Sequence, residues 1–573
     1  PPIPSGSMTL ATSDAAIDQS LEVLSGHKDE WATLAIGERI RLLDDLIRRT
    51  DLAASRWAAA GAGAKGLSRG QMGEEWLMGP YGLLRAATAL RSSLQRIAKG
   101  INTYDDRWVR QGADGRAIVK VLPVEWFEPV LLSGFRIDVW MEPLVTPNNL
   151  AEHTASFYKT PSPVGRVCGI LGAGNVSSIP ALDALSKLYV EGQVAAVKFN
   201  PVNDYLGPIF EEIFGGFIQR GWIRFLYGGA ETGARLVEHP LVDTVHITGS
   251  TATHDRIVFG RGSAGEDRRR FNSPLMNKPI SSELGGVSPF IVIPGPWTEA
   301  DLRFQAENFV TQKLVNGGFN CIAAQVMVLP EAWPLSERFV EHVHELMSAQ
   351  PPRLAYYPGA DERRQNVADR SGALTVGASP CTYVDGTDHT DDDPAYREEF
   401  FSAAFVTTRL PGNDAAAYLE NAIDFANTRL DGTLGANLVI HPATRSEFGD
   451  GFEAALAKLH YGAIAVNTWT AFNFLQPRAP WGAFPGQSLD DVGSGIGLVH
   501  NALMFDRPEK TVATGPFRPV PRAWLVGEFH LSPRPPWFVT CPTGALTAER
   551  FTRFAADHSP SHLPGIFASA LRG

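Results

Sequence analysis

Between Val164 and Ser250 the chain alternates short apolar runs with stretches of helical periodicity, and this repeat limits the fold more than any other feature. VCGIL (167–171), VAAVKF (194–199), IRFLY (223–227) and DTVHITGS (243–250) read as strands. ALDALSKLYVEG (181–192), YLGPIFEEIFGGFIQRG (205–221) and a segment starting near Glu231 read as the helices between them. Strands and helices alternating in units of roughly 20–30 residues specify a parallel, doubly wound sheet. The strands lack polar alternation, as expected of a sheet covered on both faces. Ligands of such sheets gather at the strand carboxyl ends, where Asn175, Lys198, Gly249 and Ser250 fall.

At 573 residues the chain exceeds one ordinary core, so two or three domains are expected. A second α/β segment is visible in VMVLP (326–330), SERFVEHVHELM (336–347) and GANLVIH (435–441). Ahead of the repeat, Ile36 to about Ala60 and Glu74–Ala98 carry apolar residues at helical spacing and read as packing helices. The 115–158 region mixes Val, Ile, Phe and Trp with Pro and Gly breakers, as strands or a long hairpin do. It is either an arm that packs on another domain or subunit, or a small extra sheet on its own chain. Arg256–Asn277, with Arg268–Arg270, and the acidic stretch 385–394 read as solvated loops. Beyond Thr511 the chain is rich in Pro and aromatics, with a helix expected at Ala548–Asp557 and no legible chemistry. Pro1–Ser7, ahead of Met8, read as an expression scar.

Composition removes several function classes. A formal charge of −11 opposes non-specific nucleic-acid binding. Four widely spaced cysteines, with no CxxC pair, exclude a disulfide framework and the usual zinc patterns and point to a reducing, cytoplasmic setting. Apolar runs such as Phe290–Ile293 fall far short of the ~18 residues of a membrane span. Against this plain background stand ISSELGGVSPFIVI (280–293), which sets Glu283 against two glycines, and NGGFNC (316–321), which sets Cys321 in an Asn/Gly turn. A carboxylate able to act as general base and a thiol able to act as nucleophile are what a covalent thiol mechanism needs.

These residues, taken with ILGAGNVSSIP (170–180), AAVKFNP (195–201), HITGST (246–251), SSELGG (281–286), REEFF (397–401) and VNTW (466–469), resemble the ordered motifs of the aldehyde dehydrogenase superfamily. The resemblance runs from about Glu38 to Val512. It implies an α/β, aldehyde-dehydrogenase-like fold: a Rossmann-type dinucleotide-binding domain (9–125 and 160–282), a second α/β catalytic domain (283–485), and a β oligomerisation arm with a C-terminal extension (126–159 and 500–573). It also implies an NAD(P)-dependent oxidation of an apolar or aromatic aldehyde to the carboxylic acid, in a homodimer or homotetramer. By the same resemblance Cys321 is the nucleophile, Glu283 activates the hydrolytic water, and the Asn175 amide with the Cys321 backbone N–H forms the oxyanion hole. Lys198 and Glu399 would bind the two riboses, with Phe401 nearby. Gly249 and Ser250 would lie against the pyrophosphate, and Gly233 and Leu284 would complete the cofactor contacts.

The pattern departs from the family in four places. Pro201 replaces the glutamate that meets the ribose 2′-hydroxyl in NAD-type members, with no Arg or Lys beside it in sequence, so NAD is expected and NADP stays open. Phe401-Ser402-Ala403 replaces Phe-Gly-Pro, the 251–281 loop is longer, and the 115–158 region and the tail are extended. A CoA-acylating dehydrogenase, which generally lacks the ELGG glutamate, and a non-catalytic scaffold remain as alternatives. Trp469, Phe472, Phe474 and Trp481 are either the aldehyde tunnel or domain core.

Overall fold

The computed structural model describes residues 10–377 and 381–573, so Pro1–Ser7, read above as an expression scar, lie outside the described residues. Strands β1 (Val109–Gln111), β2 (Ala117–Leu122) and β3 (Arg136–Met141) come first. The repeat then gives β4 (Val167–Leu171), β5 (Val194–Lys198), β6 (Ile223–Leu226), β7 (Thr244–Gly249) and β8 (Ile280–Leu284). The second segment gives β9 (Ser288–Val292), β10 (Ala324–Pro330), β11 (Ala373–Val376), β12 (Cys381–Val384), β13 (Ala404–Leu410), β14 (Gly435–Val439) and β15 (Ala463–Val466). Last come β16 (Gly495–Ile496) and β17 (Pro508–Thr514).

These strands form two sheets. One runs β16-β8-β7-β4-β5-β6 and is parallel apart from β16. The other runs β1-β2-β3-β17-β15-β14-β9-β10-β13-β12-β11, with a parallel centre from β17 to β12. Every residue of β5, β9, β14 and β15 is buried, as the unbroken apolar runs require when helices cover both faces. The period of two sorts β9 cleanly: Phe290 and Val292 enter one core, Ile291 and Ile293 the other. Glu283 lies on the last parallel strand of the first sheet, and the chain crosses to the second sheet through Gly285–Val287.

Of the two readings of the 115–158 region, the strands pair within their own chain: β3 pairs antiparallel with β17, and β17 pairs parallel with β15, so the arm extends the second sheet. Two other segments differ from the sequence expectation. The helix expected at Glu74–Ala98 is broken into Gly73–Trp76, a π turn at Leu77–Tyr81 and Gly82–Ala98. Pro80 removes a donor there and Gly79 leaves helical geometry (φ −116°, ψ −109°). The stretch read as a solvated loop forms the helices Thr251–Phe259 and Gly262–Arg270, split at Gly260 (φ +94°). The tail adds the helices Gly544–Asp557 and Leu563–Ala570. No helix among the described residues is long and apolar enough to cross a membrane.

Candidate active site

Cys321 is delivered by a turn whose residue types follow from its backbone. After the helix Glu299–Leu314, Asn316, Gly317 and Gly318 all have positive φ (57°, 67° and 82°). Only Gly, and to a lesser degree Asn, adopts that region readily. A side chain at Gly318 would also meet the Ser402 carbonyl at 2.6 Å. The turn is fixed by a buried polar network. Asn316 donates to the Asn175 and Phe319 carbonyls (3.0 and 3.1 Å). Lys65, paired with Glu75 (2.7 Å), donates to the Asn175 carbonyl and to Asn316 (both 2.9 Å), and the Tyr356 hydroxyl reaches the same two groups.

A cavity of about 850 Å³ opens over this turn, within the range of cofactor pockets. Its lining brings together Cys321, Glu283, Asn175, Lys198, Gly233, Gly249, Ser250, Glu399 and Phe401, residues far apart in sequence. Leu284 is fully buried and does not line the cavity; its backbone N–H donates to the Ser494 carbonyl. Asn175 gives one amide N–H to the Phe319 carbonyl (3.0 Å), which fixes the amide plane and leaves the second N–H.

Electrostatics in the cavity are set by burial. Glu283 is pushed up to about 7 by desolvation; the Trp481 indole N–H on its Oε1 (3.0 Å) and the Cys321 thiol oppose the rise, and the Asp183 charge adds to it. The Cys321 thiol is raised well above its ordinary range, first by burial and then by the charges of Glu283 and Glu399. Glu399 is pushed up to about 8, by burial and then by Glu283, against the pull of Lys313 and Arg363. Burial likewise lowers Lys198 to about 8. Among the described residues none of the cavity carboxylates Glu238, Glu283 and Glu399 has an ion-pair partner, an arrangement in keeping with a candidate functional cluster.

The same cavity can hold a dinucleotide. Glu399 Oε1 is buried without a hydrogen-bond partner, an acceptor free for a sugar hydroxyl, and a Cβ at Gly285 would sit 2.2 Å from Glu399 Oε2. The helix Thr251–Phe259 starts at the cavity wall with Gly249, Ser250 and Thr253, the polarity that suits phosphate. Arg268 and Arg269 do not line it: they bind the Phe259 and Asp490 carbonyls. Arg256 and Arg261 do, and among the described residues neither has an ion-pair partner. Sequence reading missed Lys65 and Tyr356. It singled out Trp481 as aldehyde tunnel or domain core, and the structure adds its indole N–H on Glu283, a donor well suited to burial against a carboxylate.

The aldehyde dehydrogenase family model matches residues 151–357, which contain Asn175, Lys198, Glu283 and Cys321. The chain is 27% identical over 258 residues to D-glyceraldehyde dehydrogenase (NADP(+)) of Thermoplasma acidophilum, covering 41% of this chain and 49% of the relative. It is 29% identical over 279 residues to succinate-semialdehyde dehydrogenase [NADP(+)] of Mycobacterium avium, covering 45% and 52%. The chain thus spans about half the length of these curated relatives. Among solved structures, the NAD-dependent aldehyde dehydrogenase of Sinorhizobium meliloti superposes with a TM-score of 0.60 at 16% identity, over 89% of this chain and 88% of the other. Glyceraldehyde-3-phosphate dehydrogenase GapN of Methanocaldococcus jannaschii, complexed with NADP, gives 0.59 at 15%, over 88% and 96%. At such identities the structural likeness shows the fold. Residues 151–357 are thus similar to the aldehyde dehydrogenase family, on a fold shared with solved aldehyde dehydrogenases.

Proposed function

We propose that the protein oxidises an aldehyde to the carboxylic acid with NAD or NADP through a covalent adduct on Cys321. The observation that carries this reading is the meeting of the Cys321 thiol, the Glu283 carboxylate and the Asn175 amide in one cavity of dinucleotide size. Glu283 and the thiol line the same cavity. As carboxylate, Glu283 takes the thiol proton, and the thiolate adds to the aldehyde carbon to give a hemithioacetal alkoxide. The free N–H of Asn175 and the Cys321 backbone N–H stabilise that alkoxide, one such donor being worth ~2.7–4 kcal/mol. A bound nicotinamide dinucleotide supplies the hydride acceptor. Glu283 then releases its proton, which a pKa of about 7 allows near neutrality, and takes one from the water that attacks the thioester. The acid leaves and the thiolate returns.

Glu399 would bind a ribose, Lys198 the other, and Gly233, Gly249 and Ser250 would face the adenosine and pyrophosphate. Leu284 would take part only through its backbone. Arg256 and Arg261 bring into the cavity the positive charge that the sequence beside Pro201 lacks, which supports NADP as well as NAD. Trp469 and Phe472, both buried, support an apolar substrate.

The test mixes the protein with a panel of aliphatic and aromatic aldehydes, NAD and NADP separately, without CoA, following absorbance of the reduced cofactor. Turnover that disappears in Cys321→Ala supports the reading. Reduced cofactor that appears only when CoA is added, with no free acid, would replace it by the acylating chemistry. No turnover and no dinucleotide binding in calorimetry would leave a scaffold.

A further inference from the structure

The tail, silent as sequence, forms a wall beside the nucleophile. Cys321 packs on an apolar cluster that includes Met78, Val315, Ile322, Trp469 and Trp481, and Val539 of the tail packs on the same cluster. Beyond it lies a residual cavity of only about 60 Å³, bounded by Leu77, Met78, Trp469 and Phe472 and by the tail residues Trp537, Phe538 and Val539. That is far below the ~300–1,000 Å³ of an ordinary ligand pocket, so the tail leaves little room for a long acyl chain beside the cluster.

The wall is held by specific contacts. Trp537 packs its ring on Phe472 (centroids 5.6 Å) and Phe135 (5.7 Å), and Phe538 packs on Phe304 (5.3 Å). The Val539 N–H donates to Thr311 Oγ1 and the Thr540 hydroxyl to Glu307 Oε2 (both 3.1 Å), while Arg534 pairs with Glu307 (3.1 Å). Glu307 and Thr311 belong to the helix Glu299–Leu314 that leads into the Cys321 turn. The strap is therefore tied to the element that positions the thiol.

The placement matters because the large cavity holds the polar groups suited to a dinucleotide, and the transferred hydride must leave the thiol-bound carbon towards it. The rest of an aldehyde must then extend the other way, into the apolar cluster. We infer that residues 534–541 are a specificity-determining strap that closes the aldehyde side of Cys321 and restricts the substrate to short, unbranched or small apolar aldehydes. This rests on the proposed dehydrogenase reading for its substrate, and on the packing alone for its position.

Trp537→Ala and Val539→Ala, each with retained circular dichroism, are compared with the intact protein on unbranched aldehydes from acetaldehyde to decanal. The kcat/KM ratio of decanal to acetaldehyde should rise about tenfold or more, since each methylene admitted to an apolar site is worth roughly 10–200-fold. Val539→Phe should move the ratio the other way. A second arm needs no turnover: Cys321 is alkylated with iodoacetamide or an N-dodecyl iodoacetamide under saturating dinucleotide, and labelling at Cys321 is followed by peptide mass spectrometry. The other three cysteines are buried. The long reagent should gain at least tenfold over the short one in the opened variants. Unchanged ratios in both arms would overturn the strap. A changed labelling ratio with no oxidation of any aldehyde would uphold the strap and count against the dehydrogenase reading. If no dinucleotide binds, the labelling ratio is read without it.

Discussion

Two regions bury carboxylates in opposite ways. At the arm, Glu128 is fully buried and fully satisfied: Oε1 accepts from Arg85 (3.0 Å) and Arg478 (3.1 Å), and Oε2 accepts from the backbone N–H groups of Val124 (2.7 Å) and Glu125 (2.9 Å). Burial alone would raise its pKa, but the two guanidinium groups and the backbone donors outweigh it and the group ends below its ordinary value. In the cavity, Glu283 has one indole donor and Glu399 has an orphaned oxygen, and both end high, at about 7 and about 8. The first arrangement fixes a charge to hold structure. The second keeps protons exchangeable near neutral pH, at a cost in stability, which is what a base and a ligand acceptor require.

Substitution at Glu283 puts the largest effect on the functional side of this contrast. Glu283→Gln keeps the volume and removes the proposed base, so on that reading an initial burst of reduced cofactor should persist while steady-state turnover falls by roughly 10²–10⁴-fold, the usual worth of a general base. Stopped-flow absorbance separates burst from turnover; unchanged turnover would remove Glu283 from the chemistry. On the structural side, Glu128→Gln leaves Arg85 buried without its carboxylate, while Arg478 keeps only Glu125. Such losses cost about 3–5 kcal/mol, to be measured by denaturant unfolding at neutral pH. A loss near zero would mean that the arm is held by its apolar contacts alone.

How far these two regions could be read in advance follows from how local their signals are. The strands of the first sheet, Cys321 and Glu283 were legible because apolar runs and the ELGG and NGGFNC patterns are local. The Arg85–Glu128–Arg478 cluster was not, because its members come from three distant segments and each looks like an ordinary surface charge. The same holds for Arg256 and Arg261, hidden in a stretch whose charge and glycines suggested a solvated loop. The return of the arm onto β15 depends on β17, a strand that a pattern of period two cannot assign to a partner.

Glu399 sharpens the comparison through stability. Its folded pKa of about 8 lies above the ordinary 4.5, so the protonated form suits the fold. That stability is fully present below about pH 4.5 and is lost as pH rises through 8. Glu399→Gln cannot ionise and should therefore melt higher than the parent at pH 9, with the gap closing towards pH 5. At 1.36 kcal/mol per pH unit over about 3.5 units the gain is on the order of 5 kcal/mol at most. Scanning calorimetry across that range checks it, while a rise in KM for the dinucleotide in the same variant would show the cost of losing the acceptor. A pH-independent difference would mean that Glu399 is not the titrating group.

The smallest effect comes from Trp481. Its N–H on Glu283 Oε1 favours the charged carboxylate and holds back the rise caused by burial. On the proposed mechanism hydrolysis of the thioester needs the carboxylate, so the rate should climb with pH through about 7 and level off above it. Trp481→Phe removes the donor while keeping an apolar ring, so the midpoint should move to higher pH by less than about one unit, equivalent to the ~1 kcal/mol of a single hydrogen bond. The plateau should hardly change, because the base itself is intact. A steady-state pH profile of kcat gives both quantities: a moved midpoint with a preserved plateau assigns the indole to tuning the proton affinity of Glu283, whereas a lowered plateau with an unmoved midpoint would make Trp481 a packing residue and leave burial, with the Asp183 charge and the Cys321 thiol, as the control on Glu283.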